Sequence, residues 1–366
     1  MTPLAKALRR TIEAEGPIPV SLYMARCLGD PEHGYYMTRD PFGTKGDFTT
    51  APEVSQIFGE LMGAVLADYW LKAGCPAPVR LIEIGPGRGT LMKDALSVLA
   101  RLPGFLAAAD LHLVETSPAL RTIQTQTLQG APLSPRHHET METVPQGFAL
   151  ILANEFFDAL PVDQIECRAG HWHQRLIGLD AEGNFRFGLG NPVPGPARPA
   201  PDGTVIEIAP ARASVMGRIA ARLKKGGGLF VTADYGAAQS GFGDTLQAVK
   251  AHRFADPFAA PGDADLTTQV DFAALAEAAR AAGARIYGPL AQGSFLLRLG
   301  LLERAGRLGA GKPQATQEAI SLAVERLAGD AGMGQLFKVM AVGDGRACPA
   351  PFDQDRNTDA RHPETA

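Results

Sequence analysis

The sequence predicts an α/β protein built on a doubly wound parallel sheet. Apolar runs of strand length, such as VRLIEI at 79–84 and ALILA at 149–153, alternate with amphipathic stretches of helix length. This alternation is typical of βαβ units, in which helices cover both faces of a parallel sheet. Between 163 and 203, turn residues and a proline-rich stretch interrupt it. We therefore expect a sheet that carries a β-hairpin insertion and is preceded by a helical N-terminal segment.

Each element is predicted from the spacing of its apolar residues and from the residues at its ends. Leu4, Leu8 and Ile12 recur at helical spacing, and Ser117-Pro118 is typical of a helix start. Helices are predicted at 2–15, 54–73, 91–102, 117–128, 211–225, 272–284 and 314–327. Strands are predicted at 79–84, 109–116, 149–153, 229–236 and 294–301, with a strand, turn and strand at 163–190.

The predicted elements divide the chain into five segments, and we find no internal repeat. A helical and loop segment comes first, and the two halves of the sheet are separated by the insertion and its proline-rich linker. The predicted segments are 1–75 (N-terminal), 76–165 (first half of the sheet), 166–203 (insertion and linker), 204–345 (second half with helical additions) and 346–366 (flexible tail).

Composition limits the classes of function. The 366 residues are 45% hydrophobic and 20% charged with a net charge of −4, which favours an ordinary globular protein without a nucleic-acid partner. The four cysteines form no C-x-x-C pair, so we expect neither a metal site nor a disulfide framework. No apolar run has the length of a membrane span, and the first residues resemble neither a signal peptide nor a transit peptide. A cytoplasmic protein without membrane insertion is expected, and the lack of a presequence suits a bacterial protein.

The segment LIEIGPGRGTL at 81–91 contains Gly85, Gly87 and Gly89 directly after a predicted strand. In the dinucleotide fingerprint G-x-G-x-x-G the third glycine comes one residue later. The pattern E-x-G-x-G-x-G, with its acid at Glu83, is instead the turn of class I methyltransferases, whose cofactor is S-adenosylmethionine. Exposed backbone N–H groups suit the carboxylate of its methionine part, and a nearby carboxylate suits its ammonium group.

The next predicted strand ends at Glu115. An acid at the end of that strand can accept hydrogen bonds from both ribose hydroxyls of a nucleoside. Nicotinamide enzymes use the same device, so Glu115 alone does not distinguish the two cofactors. The glycine spacing does distinguish them and favours S-adenosylmethionine.

The segment NEFFDALP at 154–161 follows a second apolar strand and brings three polar residues to the sheet edge where ligands bind. Asn154 can hold either the methyl acceptor or the methionine amine. Glu155 and Asp158 are three residues apart and can share one face of a turn, where carboxylates could grip a guanidinium group. The alternative for Asp158 is that it caps the next turn.

Long segments of the chain resemble the MidA-like family of class I methyltransferases, which includes the mitochondrial protein-arginine methyltransferase needed for assembly of respiratory complex I. The segments are YMARCLGDPEHGYY, PFGTKGDFTTAPEVSQIFGEL, LIEIGPGRGTL, ANEFFDALPVDQ, VTADYG and PGDADLTTQVDF. The resemblance implies a Rossmann-like sheet and S-adenosylmethionine as cofactor. It further implies a protein partner, namely an arginine of the 49-kDa-type subunit of complex I, and a location in the mitochondrial matrix for eukaryotic relatives.

The resemblance also bears on GDFTTAPE at 46–53. It implies that this segment closes over the cofactor, which makes Asp47, Thr49 and Thr50 candidate cofactor-binding residues. A second interpretation is a helix start in which Thr50 and Glu53 form a capping box. The stretch His137-His138-Glu139 lies in the region where class I enzymes contact adenine, so we expect a ring-edge contact there and no zinc site.

Three other functions stay open at this point. A small-molecule methyltransferase and a non-catalytic assembly factor that binds S-adenosylmethionine both agree with the glycine turn. A nicotinamide oxidoreductase agrees with the sheet and with Glu115 but not with the glycine spacing.

Overall fold

The structure is a computed structural model that describes residues 1–38, 49–197 and 200–354. Its helices are α1 (Pro3–Glu15), α2 (Val20–Gly29), α3 (Tyr35–Thr38), α4 (Ala51–Val54), α5 (Gln56–Lys72), α6 (Thr90–Leu99), α7 (Phe105–Ala108), α8 (Pro118–Thr127), α9 (Pro210–Gly226), α10 (Phe272–Ala281), α11 (Gln292–Arg298), α12 (Leu301–Gly309), α13 (Gln314–Ala328) and α14 (Met333–Leu336). Its strands are β1 (Ile18–Pro19), β2 (Val79–Ile84), β3 (Ala109–Val114), β4 (Arg136–His138), β5 (Phe148–Asn154), β6 (Asp163–Arg168), β7 (His171–Leu179), β8 (Phe185–Pro192), β9 (Val205–Ile208), β10 (Gly228–Ala237), β11 (Gln247–Lys250), β12 (Arg253–Ala255), β13 (Asp265–Thr267), β14 (Val270–Asp271), β15 (Arg285–Ala291) and β16 (Phe337–Gly343).

The main sheet has the strand order β15-β16-β10-β5-β2-β3-β4. The neighbours from β10 to β4 pair in parallel, whereas β16 pairs antiparallel with both β10 and β15. All seven residues of β5 are buried, as a central strand covered on both faces requires. The predicted doubly wound sheet is therefore confirmed, with an antiparallel strand near one edge.

The described chain divides into two compact units. The first comprises Met1–Thr49, Phe157–Val215 and Gln239–Asp271, and the second comprises Thr50–Phe156, Met216–Ala238 and Phe272–Ala366. The second unit contains the main sheet. The first contains an antiparallel sheet in which β1, β7, β6 and β9 are neighbours and β8 pairs with β7, and a smaller sheet of the order β12-β11-β13. The predicted β insertion is thus present as β6, β7 and β8.

The first helix follows from local sequence. Thr2 is its N-cap and accepts a hydrogen bond from the backbone N–H of Ala5, while Leu4, Leu8 and Ile12 form its buried stripe. A side-chain oxygen at the N-cap satisfies one of the N–H groups that have no partner within the helix. The predicted helix at 2–15 is confirmed.

The predicted strand at 294–301 is wrong, because residues 294–298 belong to α11 and Leu301 is the first residue of α12. Phe295 and Leu296 are buried while Leu297 is 46% exposed, which matches helical rather than alternating burial. A short apolar run can satisfy either structure, and periodicity alone does not distinguish them.

Residues 346–354 were predicted to belong to a flexible tail, but they are packed against other parts of the protein. Phe352 is buried, and its ring lies 5.7 Å from that of Phe295 and 6.3 Å from that of Tyr287, measured between centroids. Residues 355–366 lie outside the described part of the chain. Within the described residues, no helix is both long enough and apolar enough to span a membrane.

Candidate cofactor and active site

The glycine turn connects β2 to α6 at the carboxyl end of the sheet. Gly85, Gly87 and Gly89 have φ values of +62°, +51° and +82°. Only glycine adopts this left-handed region without strain, which explains the three alternating glycines. The turn is fixed at its ends, because the N–H of Gly85 donates to the carbonyl of Val114 (3.1 Å) and that of Gly89 donates to the carbonyl of Pro86 (2.7 Å).

Glu83 is the second-last residue of β2 and is 2% exposed. Burial raises the pKa of this carboxyl well above its usual range, and the charge of Glu115 raises it further. Within the described residues, its Oε2 atom has no hydrogen-bond partner. A buried carboxyl oxygen without a partner is rare in folded proteins, which makes Glu83 a candidate for contact with a ligand. An ammonium group such as that of S-adenosylmethionine fits this requirement.

Glu115 follows β3 and is held from both sides of its carboxylate. Oε1 accepts from the backbone N–H of Ser117 (2.8 Å), and Oε2 accepts from Nε2 of Gln124 (3.2 Å). Burial raises the pKa of Glu115, while these hydrogen bonds oppose the rise. The carboxylate is therefore fixed in position at the end of the strand next to β2.

Sequence analysis missed Gln124, which is fully buried and contacts the glycine turn. One signal could have revealed it. Leu120, Gln124 and Leu128 are spaced four residues apart along α8 and just beyond its end, and all three are buried. A polar side chain on the buried stripe of an amphipathic helix needs a partner, and here the partners come from the candidate site.

Helix α4 contacts the glycine turn through Glu53. Its Oε1 accepts a hydrogen bond from Oγ1 of Thr90 (2.5 Å), and its Oε2 lies 3.5 Å from Nη1 of Arg88. Thr50 is the N-cap residue of α4 by position but makes no side-chain cap hydrogen bond. The capping-box interpretation is therefore wrong, because the carboxylate of Glu53 is directed to the turn instead of back to Thr50.

The GDFTTAPE segment contains three residues that were predicted to bind the cofactor, and the structure describes two of them. Thr50 is buried and begins the unit that contains the main sheet. Thr49 is partly exposed and ends the first segment of the other unit. Asp47 lies outside the described residues.

Asn154 and Glu155 lie at the carboxyl end of β5, next to β2 in the sheet. Oε1 of Glu155 accepts from Nδ2 of Asn154 (3.0 Å) and from the backbone N–H of Ala51 (3.3 Å). The backbone of Glu155 has a φ of +49°, and its N–H donates to the carbonyl of Ala233 (2.9 Å). A non-glycine residue in the left-handed region is uncommon and strained, and such residues concentrate at functional sites.

Asp234 holds the residue after Glu155. Its Oδ2 accepts from the N–H of Phe156 (3.1 Å), while Oδ1 accepts from the N–H of Tyr235 (3.0 Å). Asp234 is fully buried in β10, the strand on the other side of β5. The turn with Glu155 is thus fixed by the neighbouring strand through both backbone and side-chain contacts.

Asp158 belongs to the first unit, because the chain passes from one unit to the other between Phe156 and Phe157. It is 5% exposed, and burial raises the pKa of its carboxyl to about 6, while the charge of Arg212 opposes the rise. Arg212 is also buried and donates to the backbone carbonyls of Asp158 (3.1 Å) and Gln269 (2.7 Å). These contacts fit a structural role at least as well as the predicted catalytic one.

A doubly wound sheet with an acidic glycine turn at the carboxyl end of β2 defines the class as a Rossmann-like, S-adenosylmethionine-dependent methyltransferase. Comparison with known proteins narrows this class. The model of a family described as putative S-adenosyl-L-methionine-dependent methyltransferase matches residues 61–290, and the chain belongs to that family.

Named relatives agree with this assignment. The chain is 40% identical to the mitochondrial protein arginine methyltransferase NDUFAF7 homolog of Drosophila melanogaster, over 93% of this chain and 84% of that protein. It is 35% identical to the mitochondrial protein arginine methyltransferase NDUFAF7 of Homo sapiens, over 82% of this chain and 74% of that protein. A likely methyl transferase from Burkholderia thailandensis, solved with S-adenosyl-homocysteine, has a TM-score of 0.80 at 30% identity, covering 94% of this chain and 93% of that chain.

The predicted family, enzyme class and cofactor are thereby confirmed. The protein is a methyltransferase that uses S-adenosylmethionine. This result disagrees with the alternative of a nicotinamide oxidoreductase. The glycine spacing also differs from the dinucleotide fingerprint of that class.

Proposed function

We propose that this enzyme transfers the methyl group of S-adenosylmethionine to an arginine side chain of a protein, the 49-kDa-type subunit of respiratory complex I, during assembly of that complex. Relatives that cover most of the chain are named protein arginine methyltransferases, which supports a protein acceptor. The observation that carries the proposal is the carboxylate of Glu155, partly exposed and held at the carboxyl end of β5 by two N–H donors.

The chemistry of the acceptor supports this assignment. Methyl transfer breaks the bond between sulfur and the methyl carbon and forms a bond from a guanidinium nitrogen to that carbon, so position and orientation supply most of the catalysis. Arginine keeps its proton at neutral pH, and its charge is delocalised over the guanidinium group. In the proposed site, Glu155 grips this group, localises its charge and takes up the proton released after transfer. Asp158 remains a second candidate for that role.

The cofactor roles are proposed residue by residue. Gly85, Gly87 and Gly89 would let the methionine part approach the backbone of the turn. Glu83 would face its ammonium group, and Glu115 would accept hydrogen bonds from the ribose hydroxyls. Asn154 can hold the methionine amine or the acceptor. Asp47, Thr49 and Thr50 are proposed to contribute to the cofactor site, as the family resemblance implies.

Mass spectrometry of the homologous complex I subunit tests the acceptor. The subunit is taken from cells with the gene, without it, and with Glu155→Ala or Glu318→Gln as the only copy. Glu318 is an exposed residue of α13 and serves as a control. A methylated arginine that is present in wild type and Glu318→Gln but absent in the other two strains supports the proposal.

Unchanged arginine methylation in the deletion strain would overturn the acceptor assignment and leave the cofactor site in place. A small-molecule acceptor would then be the better hypothesis. If methyl transfer is absent in wild type and complex assembly is undisturbed by Glu155→Ala, the non-catalytic assembly factor is favoured instead.

A further inference from the structure

Gln124 is connected to three different parts of the candidate cofactor site. Its side-chain nitrogen donates to the carbonyl of Gly87 (2.8 Å) and to Oε2 of Glu115 (3.2 Å). Its side-chain oxygen lies 3.1 Å from Nε2 of His137. Gln124 is fully buried, so its side-chain amide cannot exchange these partners for bulk water.

The hydrogen-bond pattern leaves Gln124 with one orientation. An amide nitrogen has two N–H groups, and here both face acceptors, Gly87 and Glu115. The amide oxygen must therefore face His137, and Nε2 of His137 must carry the proton that it donates. Reversal of the amide would direct the oxygen at the carbonyl of Gly87 and at the carboxylate of Glu115. The network thus specifies a single arrangement.

We propose that Gln124 is a positioning residue for cofactor binding. It aligns the carboxylate of Glu115 with the glycine turn, so that both can contact the same cofactor molecule. A carboxylate that hydrogen-bonds two ribose hydroxyls needs a fixed plane, because each of its oxygens must point at one hydroxyl. The N–H of Ser117 holds Oε1, and Gln124 holds Oε2. The same amide nitrogen fixes the carbonyl of Gly87, so the distance between turn and carboxylate is set by one side chain.

His137 completes the network from β4. Burial lowers the pKa of His137, which keeps its ring neutral at neutral pH. Glu115 is the carboxylate that faces Gln124, and Arg121 contributes a positive charge near both Glu115 and His137. A neutral ring with its proton on Nε2 donates to the amide oxygen and leaves both amide N–H groups for Gly87 and Glu115.

Calorimetry with two ligands tests this inference. The ligands are S-adenosylhomocysteine and an analogue whose ribose lacks the 2′- and 3′-hydroxyls. Gln124→Met keeps the length and volume of the side chain but removes its hydrogen bonds, and Gln126→Met on the exposed face of α8 is the control. Gln124→Met is expected to weaken binding of S-adenosylhomocysteine on the order of tenfold, because a hydrogen bond to a carboxylate is lost. Binding of the analogue is expected to weaken clearly less than binding of S-adenosylhomocysteine, since the part of the loss that involves Glu115 acts through the hydroxyls, whereas the lost hydrogen bond to Gly87 affects both ligands.

Equal weakening for both ligands would overturn the proposal, because it would show only a general role in folding. Unchanged affinity for S-adenosylhomocysteine would also overturn it. If Gln124→Met does not fold, Gln124→Glu serves instead. The affinity of this variant for S-adenosylhomocysteine is expected to improve as the pH falls, because a protonated carboxyl regains one donor. An affinity that does not depend on pH would overturn the proposal. The inference rests on the ribose role proposed for Glu115, which Glu115→Gln tests separately, and it is independent of the methyl acceptor.

Discussion

The ring of Phe156 lies against the backbone of Gly85, and a Cβ atom at Gly85 would come within 2.9 Å of Cδ2 of that ring. Gly85 begins the glycine turn after β2, and Phe156 follows Glu155 after β5. The turn assigned to the cofactor and the turn assigned to the acceptor are therefore in direct contact. A substitution that adds a side chain at Gly85 is therefore expected to displace the ring of Phe156 and with it the backbone next to Glu155.

Gly87→Val is expected to weaken the binding of S-adenosylhomocysteine severely. Valine is strained at a φ of +51°, and its side chain would occupy the approach path of the cofactor. Gly130→Val is the matched control, because Gly130 has a φ of +79° and a Cβ atom added there would meet no atom within 4 Å. Calorimetry on both variants separates backbone strain from loss of the site, and equal affinities would remove the glycine turn from the cofactor site.

Glu155→Gly is expected to be more stable than Glu155→Ala by about 1 kcal/mol, because alanine keeps the strain of a φ of +49° while glycine does not. Both variants lack the carboxylate, so both are expected to bind S-adenosylhomocysteine but to lose methyl transfer. Chemical denaturation measures the stability difference. A Glu155→Gly variant with full activity would contradict the role of the carboxylate, whatever its stability.

Asp158→Asn separates the two explanations for this residue. Burial raises the pKa of the Asp158 carboxyl, so its charge is unfavourable in the folded protein at neutral pH, whereas the nearby charge of Arg212 opposes that effect. Because the neutral amide removes both contributions, we expect a free energy of unfolding close to that of wild type and retained methyl transfer. Asp330→Asn, at an exposed position, is the control. Loss of transfer with unchanged stability would instead favour Asp158 as a catalytic residue.

Acid is expected to destabilise the protein through His112. This residue is fully buried, and burial lowers its pKa from 6.5 to about 4. Between these pH values the unfolded chain binds a proton that the folded protein does not. The contribution of His112 to the free energy of unfolding is therefore fully present above pH 6.5 and is lost as the pH falls from 6.5 to 4. The full effect is about 3 kcal/mol.

Denaturation at pH 7 and at pH 4.5 measures this loss. His112→Asn is expected to lose less stability between the two pH values than wild type, whereas His171→Asn, at an exposed position, is expected to behave as wild type. Nδ1 of His112 lies 2.9 Å from Nε2 of His138, so the Asn variant is also expected to have a lower absolute stability at pH 7. Equal losses in wild type and His112→Asn would exclude His112 as the acid-sensitive group.

Local patterns predicted the parts of the fold whose structure is locally determined. The strand at Val79–Ile84 has the predicted bounds, because a short apolar run that ends in glycine has few other structures open to it. The side chain of Ser117 caps α8 as predicted and accepts from the N–H of Leu120 (3.3 Å). Three glycines and an acid at fixed spacing were enough to predict the class of cofactor.

Features that depend on distant residues were not predicted. The partners of Gln124 come from β4, from the end of β3 and from the glycine turn, and no local pattern encodes those contacts. The buried setting of Asp158 depends on Arg212, which is 54 positions away. Spacing alone suggested that Glu155 and Asp158 act together, but the chain passes from one compact unit to the other between the two residues that separate them, Phe156 and Phe157.

The last strand of the described residues, β16, lies inside the main sheet between β15 and β10. During synthesis on the ribosome, β10 and β15 therefore emerge long before the strand that joins them. Until residues 337–343 are available, the edge of each strand that pairs with β16 in the finished sheet is unpaired, and such edges can pair with other chains. A nascent chain that stalls or ends before β16 consequently lacks an internal strand and is a natural target for chaperones and proteases, even though every residue of the glycine turn is already present.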